Sequence, residues 1–186
     1  LVSPATLPSN FQFNKKENAD YNLRRLISEQ LQHLLPNIAA ISAQVAQPAH
    51  IQQAQLALQH LHLSLSIFKD WSSDISDKWS MQLSAFAQHF EHLEHVQHMQ
   101  TTLGALLNNP KTAQSLDQDI LYAQEKLHNL VKSTQNVQHY LELLLFALAP
   151  SNSTQKQGAY HHWLQALLLD LQTRDMALRD MADLMR

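Results

Sequence analysis

The sequence predicts an all-α fold, an elongated antiparallel bundle of four or five long helices with coiled-coil-like packing. Three observations predict it. Apolar residues recur at alternating steps of three and four along most of the chain, the spacing that holds one stripe of a helix against a neighbour. Only two glycines, Gly104 and Gly158, occur in 186 residues, whereas strand-and-turn folds and phosphate-cradling loops both consume glycine. Hydrophobic residues make up 45% of the chain, enough to build a core rather than a disordered coil.

The elements follow in order. Residues 1–16 contain Pro4 and Pro8, lack periodicity and end near the aromatic pair Phe11 and Phe13. They read as an extended arm able to dock on a bundle domain spanning 17–186. The first helix is expected from about Glu17 or Asp20, where acidic residues suit the positive end of the helix dipole. Its apolar positions are Ile27, Leu31, Leu34, Ile38, Ile41 and Val45, and Pro48 is expected to end it. Pro36 lies inside that run and predicts a kink near Leu35, because proline removes a backbone hydrogen bond and crowds the preceding turn.

A second column runs Ile51, Ala54, Leu58, Leu61, Leu65, Phe68. Between Trp71 and Trp79 two readings stand open: a chain reversal with a new helix capped by Ser73 or Asp74, or one uninterrupted helix. We favour the break. A third column continues from Trp79 through Leu83, Phe86, Phe90, Leu93, Val96 and Met99 to Leu106, and Asn108-Asn109-Pro110 signals a turn. The longest column is Leu116, Ile120, Ala123, Leu127, Leu130, Thr134, Val137, Leu141, Leu144, Leu148, with only Thr134 polar. It predicts one continuous helix with Leu127, Leu130, Val137, Leu141 and Leu144 largely buried. The last column is Tyr160, Leu164, Leu167, Leu171, Arg174, Leu178, Met181, Met185. Repeats of this kind favour near-parallel packing at about +20°.

Composition narrows the function classes. Net charge is −3 with histidines neutral, and the basic residues are scattered, which argues against nucleic acid, whose footprint is a basic stripe. No run of about 18 apolar residues occurs, so nothing in this segment is expected to span a membrane. Cysteine is absent, compatible with either a reducing or a disulfide-free extracytoplasmic setting. Leu1 rather than Met opens the sequence, which leads us to expect a processed chain or an ectodomain.

Several constellations invite chemistry. His89, His92, His95 and His98 are each three residues apart. Every step turns about −60° around the helix, so no single metal can take all four. Glu91 with His95, and Glu94 with His98, are i,i+4 pairs that could chelate zinc. Because these histidines flank the apolar positions Phe90, Leu93, Val96 and Met99, we read them as polar edge residues and expect no metal site. Glu125-x-x-His128 matches half of the carboxylate-bridged di-iron pattern, but no second pair exists among the six glutamates. No catalytic residues or cofactor are expected. Arg174 stands in an otherwise apolar column, and Arg24, beside Arg25, falls on the extrapolated column of the first helix. A desolvated cation needs an acid or an anion, so Arg174, with Arg24 or Arg25 as a second donor, is the candidate ligand- or partner-binding set. An internal partner such as Asp20 is the plainer alternative.

The run from Asn22 to Gln47, with Leu35-Pro36 inside an Ala- and Ser-containing amphipathic helix followed by Gln- and Leu-rich heptads, resembles the opening helix of extracytoplasmic helical sensor domains of bacterial histidine kinases and chemoreceptors, particularly the TMAO-sensor-kinase type. The closing run Arg174 to Arg186 is similar to one that leads into a second membrane helix. The resemblance implies a periplasmic part of an inner-membrane receptor with flanking membrane helices outside this segment. It also implies both termini at one end, which an even number of full-length helices provides. Its partner would be a small molecule or a periplasmic binding protein, and a homodimer is compatible with it. The other expectations are a secreted or cytoplasmic helical interaction module (adaptor, chaperone or effector) and a metal-binding bundle using the histidine stripe.

Overall fold

The structure is a computed structural model that describes residues 3–14, 16–69, 74–104 and 110–151, together with His162, Gln165, Ala166 and Leu169. These described residues are all-helical, without strands. The five helices are α1 (Ala19–Ser42), α2 (Pro48–Phe68), α3 (Asp77–Gly104), α4 (Pro110–Val131) and α5 (Thr134–Leu148). Apart from those four positions, the helix expected over 160–185, Arg174 included, lies outside the described residues, as does the turn at Asn108-Asn109.

α1 is the central helix, packing against α2, α4 and α5, while α3 closes on α2 and α4. Its apolar column Leu23, Ile27, Leu31, Leu34, Ile38, Ile41 is buried at steps of four and three. So many neighbours also bury its polar flank, including Asn22, Arg24, His33 and Asn37. Each of these therefore needs a partner, since an unpaired buried polar group costs about 1–3 kcal/mol. Asn37 exchanges two hydrogen bonds with the backbone of Thr6, 3.1 Å from Thr6 N–H to Oδ1 and 3.0 Å from Nδ2 to the Thr6 carbonyl. Asn22 accepts from Asn14 N–H at 2.7 Å, and Phe13 stacks on Phe68 with ring centroids 6.2 Å apart. The N-terminal arm is thereby fastened along α1.

α1 starts as its first turn dictates: Asn18 accepts from Tyr21 N–H at 2.8 Å, satisfying one of the helix's unpaired N-terminal donors. The helix runs through Pro36 and stops at Ser42, earlier than the Pro48 expected from sequence. Pro48 instead opens α2 at its first turn, where a missing N–H costs nothing. The α1 end closes with Val45 N–H on the Ala40 carbonyl at 3.0 Å and Gln44 N–H on the Ile41 carbonyl at 3.1 Å. Gln44 takes a positive φ of 58°, the left-handed conformation such an end requires.

The favoured break between Trp71 and Trp79 is present, since α2 ends at Phe68 and α3 begins at Asp77. The expected cap is not where it was placed. Asp74 lies three residues before the helix and binds Arg24 instead, while Ser76 Oγ accepts from Lys78 N–H at 3.3 Å. Ser73 lies outside the described residues.

The longest apolar column is the larger correction. It is not one helix: α4 ends at Val131 and α5 starts at Thr134. Ser133, in an extended conformation, caps α5 by accepting from Asn136 N–H at 3.3 Å. Asn136 Nδ2 reaches back to the Leu130 carbonyl at 2.8 Å, adding to the bond that carbonyl takes from Ser133 N–H at 3.1 Å. Two residues out of helix shift the phase of everything downstream. α5 buries His139, Tyr140, Leu143 and Phe146, whereas Val137, Leu141 and Leu148 are exposed. Leu127 is buried as expected and Leu130 and Leu144 are half-buried. Aromatic packing accompanies the new phase: Trp79 meets Phe146 at 5.3 Å and Phe86 meets Tyr140 at 5.9 Å between centroids.

Candidate ligand-binding cleft

Where the α1–α2 turn meets α3 and α4, the helices leave a cleft of about 320 Å³. Its walls are apolar, from Ile41, Ile51, Leu93, Leu121 and Leu127, and its polar groups are Gln44, Gln124, Glu125 and His128. A mostly apolar pocket with a few convergent polar groups is the usual form of a small-molecule site. Glu125 and His128, three apart on α4, share one face, and Glu125 is exposed at the rim.

The α1 end orients the imidazole. Nδ1 of His128 lies 3.2 Å from the Ile41 carbonyl, a carbonyl of the last helical turn that also accepts from Gln44 N–H at 3.1 Å in the closing turn. A carbonyl can only accept, so Nδ1 must carry the proton. In the neutral ring Nε2 is then a lone-pair acceptor. Gln44 enters from the same turn. Its positive φ is the only one at a non-glycine residue among the described residues, and it places at the cleft a side chain where glycine would be the relaxed choice.

No family model, curated protein or solved structure matches this chain. The cleft therefore has to be interpreted on its own chemistry.

The candidate residues read from sequence are dispersed. Arg24 is 4% exposed. Its Nε binds Asp20 at 2.7 Å and Nη2 binds Asp74 at 2.8 Å. Nη1 donates to the Phe146 carbonyl, and the guanidinium lies 4.1 Å from the Phe146 ring centroid. That cation joins α1 to α5 and to the segment before α3, which is the internal-partner alternative in extended form. Arg25 is half-buried and lies over Phe11 at 5.3 Å and Tyr21 at 6.0 Å. Arg174 lies outside the described residues. Glu91, Glu94, His95 and His98 are all exposed and line a shallow groove with Gln52 and Thr101. Glu94 also accepts from Gln55 Nε2 at 3.1 Å. Among the described residues no group of three metal-ligating side chains comes together.

Burial tunes several other histidines. His89 is lowered from the ordinary imidazole value by desolvation, then by the nearby Lys126 and His92. His60 is lowered by desolvation and by His33. His139 is lowered chiefly by desolvation, with Glu142 opposing and Lys78 adding to the shift. It is 3% exposed and, among the described residues, neither ring nitrogen has a hydrogen-bond partner. The neighbouring Tyr140 hydroxyl is also buried without a partner among the described residues, and burial pushes its phenol far up.

Gln44 and His139 were missed from sequence. Gln44 carries no local signal, since glutamine is an unremarkable helix residue and its φ is set by closure of the α1 end. The Lys132-Ser133-Thr134 step was the available clue for His139, because a serine cap there rotates His139 inward.

Proposed function

We propose that this chain is a small-molecule-sensing domain of a bacterial transmembrane signalling receptor, without enzymatic activity of its own. In this reading it is an elongated antiparallel bundle on the periplasmic side of the inner membrane, joined to flanking membrane helices outside this segment. Its receptor would be a two-component sensor kinase or a chemoreceptor. The observation that carries the reading is the cleft between the α1 end and α4, bridged by the hydrogen bond from His128 to Ile41. A molecule seated there contacts the end of the central helix and the helix facing it at once. Occupancy then biases their relative placement, and packed helix interfaces respond to such bias by discrete shifts.

The test is a small-molecule screen against methyl-labelled full chain, followed by nuclear magnetic resonance. Hits should shift the methyls of Ile41, Leu93, Leu121 and Leu127 while leaving Leu61 and Leu65 in place. If no compound class shifts the cleft methyls, the sensing reading fails. A second reading, a helical protein-interaction module, is favoured by one observation: Val137, Leu141, Leu145 and Leu148 form an exposed apolar stripe on α5. Large apolar side chains aligned along one helix face are a mark of interaction surfaces. Photo-crosslinking from position 141 in the native host distinguishes the readings.

A further inference from the structure

Resting on that reading of the cleft, we infer that its ligand is a small, mainly apolar amine, held with its ammonium group between Glu125 and His128 and against the Gln44 carboxamide. Three features of the cleft lead to the class. The first is the sign of its fixed polar groups. Glu125 is a carboxylate with no hydrogen bond or ion pair among the described residues. His128, with Nδ1–H committed to the Ile41 carbonyl, offers an acceptor at Nε2. Both therefore ask for a donor, and a cationic donor satisfies a carboxylate and an imidazole lone pair together.

The second feature is what the lining lacks. Among the described residues it contains neither lysine nor arginine. An anionic ligand would meet Glu125 without a compensating cation, and repulsion of that kind selects against the wrong class as firmly as attraction selects the right one. Apart from Gln124, the remaining walls are Ile, Leu and Ala46, which reward an alkyl or aromatic body. A sugar or polyol, which needs hydrogen bonds on every side, would leave its hydroxyls unpaired there.

The third feature is Gln44. A helix end closed by a left-handed residue is most often built with glycine, and a side chain at that conformation raises the energy of the fold. A strained residue at the rim of a cleft points to a use for its side chain. The Gln44 carboxamide supplies a further acceptor from the α1 end, opposite the α4 pair. An ammonium group, with three donors, can thus engage α1 and α4 at the same time, which is the contact a helix-coupled sensor needs.

The experiment compares three probes of one shape on the full chain by methyl nuclear magnetic resonance and calorimetry: phenethylamine, 2-phenylethanol and 3-phenylpropanoate. Phenethylamine should bind, the alcohol about tenfold more weakly, and the carboxylate not at all, as expected for one charge-assisted hydrogen bond. Glu125→Gln should reduce amine affinity about tenfold, the same interaction removed from the other side. Gln44→Gly should weaken amine binding while raising the thermal midpoint of the unliganded protein, a combination that a purely structural residue does not produce. Equal or tighter binding of the alcohol or carboxylate overturns the amine assignment and leaves the cleft reading standing. So does an unchanged amine affinity in Glu125→Gln. If none of the probes shifts the cleft methyls at millimolar concentration, the amine assignment fails, and the broader screen decides whether the cleft reading fails with it.

Discussion

Leu127→Ala and Leu141→Ala should differ several-fold in cost, although the two leucines occupy the same column of the sequence. Leu127 is 1% exposed in α4 and Leu141 is 53% exposed in α5. Truncating leucine to alanine removes three carbons, worth roughly 2.4 kcal/mol at about 0.8 kcal/mol per buried group. At Leu127 the cavity left behind adds to that, giving about 2–5 kcal/mol. At Leu141 half the side chain is already in water and no enclosed void forms, so the cost should stay below about 1 kcal/mol, close to the range of surface substitutions. The cause of the difference is the cap at Ser133, and Ser133→Ala should itself cost about 1 kcal/mol. Urea unfolding followed by circular dichroism, with slopes compared to confirm a common unfolding transition, measures all three. If Leu141→Ala costs as much as Leu127→Ala, α4 and α5 are one continuous helix and the phase shift derived from Ser133 is wrong.

Four further outcomes are expected. Arg24→Met removes the cation beside a carboxylate that is 2% exposed at Asp20 and should destabilise by about 3–5 kcal/mol; a neutral result in thermal or urea unfolding would show that the Arg24 hub contributes little. Gln44→Gly should stabilise the unliganded fold by about 1 kcal/mol through relief of left-handed strain, read as a higher urea midpoint. Stability should fall on acidification. His60, His89 and His139 have folded pKa values lowered by burial, so the unfolded chain takes up protons first, and stability present above about pH 6.5 is lost as pH drops toward those lowered values. His139→Leu should flatten that acid limb in urea midpoints compared at pH 7.5 and 5.5, and an equally steep limb in the variant would remove His139 as a cause. Elemental analysis of untagged protein after zinc readdition should find less than one tightly held ion, unchanged in His95→Ala.

Helix formation was legible along most of the described chain, though not the break between Val131 and Thr134. The column from Ile27 to Ile41 is buried as its spacing predicts, whereas Val45, expected on it, lies beyond the α1 end and is exposed; the break before Trp79 is present although its cap is shifted. The candidate site was much less legible. Glu125-x-x-His128 stood out as half of a metal pattern, yet its relevance comes from Ile41, 87 residues before His128. Arg24 was conspicuous for the right physical reason, an intramolecularly costly charge in an apolar column. Its additional partners Asp74 and Phe146, 50 and 122 residues away, could not be read from helical spacing.

Local interactions explain this division. Heptad spacing, proline and asparagine caps and the scarcity of glycine act within a turn or two, so the sequence by itself determined that the described residues are helical, that α1 starts near Asp20 and that Ile27, Leu31, Leu34, Ile38 and Ile41 lie on its apolar face. The choice of the buried face of α5 was tertiary. Val137, Leu141 and Leu148 are as apolar as the residues that went inside, and packing resolved the competition once the Ser133 cap turned Tyr140 toward Phe86 and Phe146 toward Trp79. The cleft was also tertiary, because the Ile41 carbonyl comes from α1, the imidazole bonded to it comes from α4, and the strained Gln44 lies in the turn that joins α1 to α2. A contact between an imidazole and a carbonyl 87 residues earlier has no local signature in the sequence, and for that reason the site emerges only when the helices are packed.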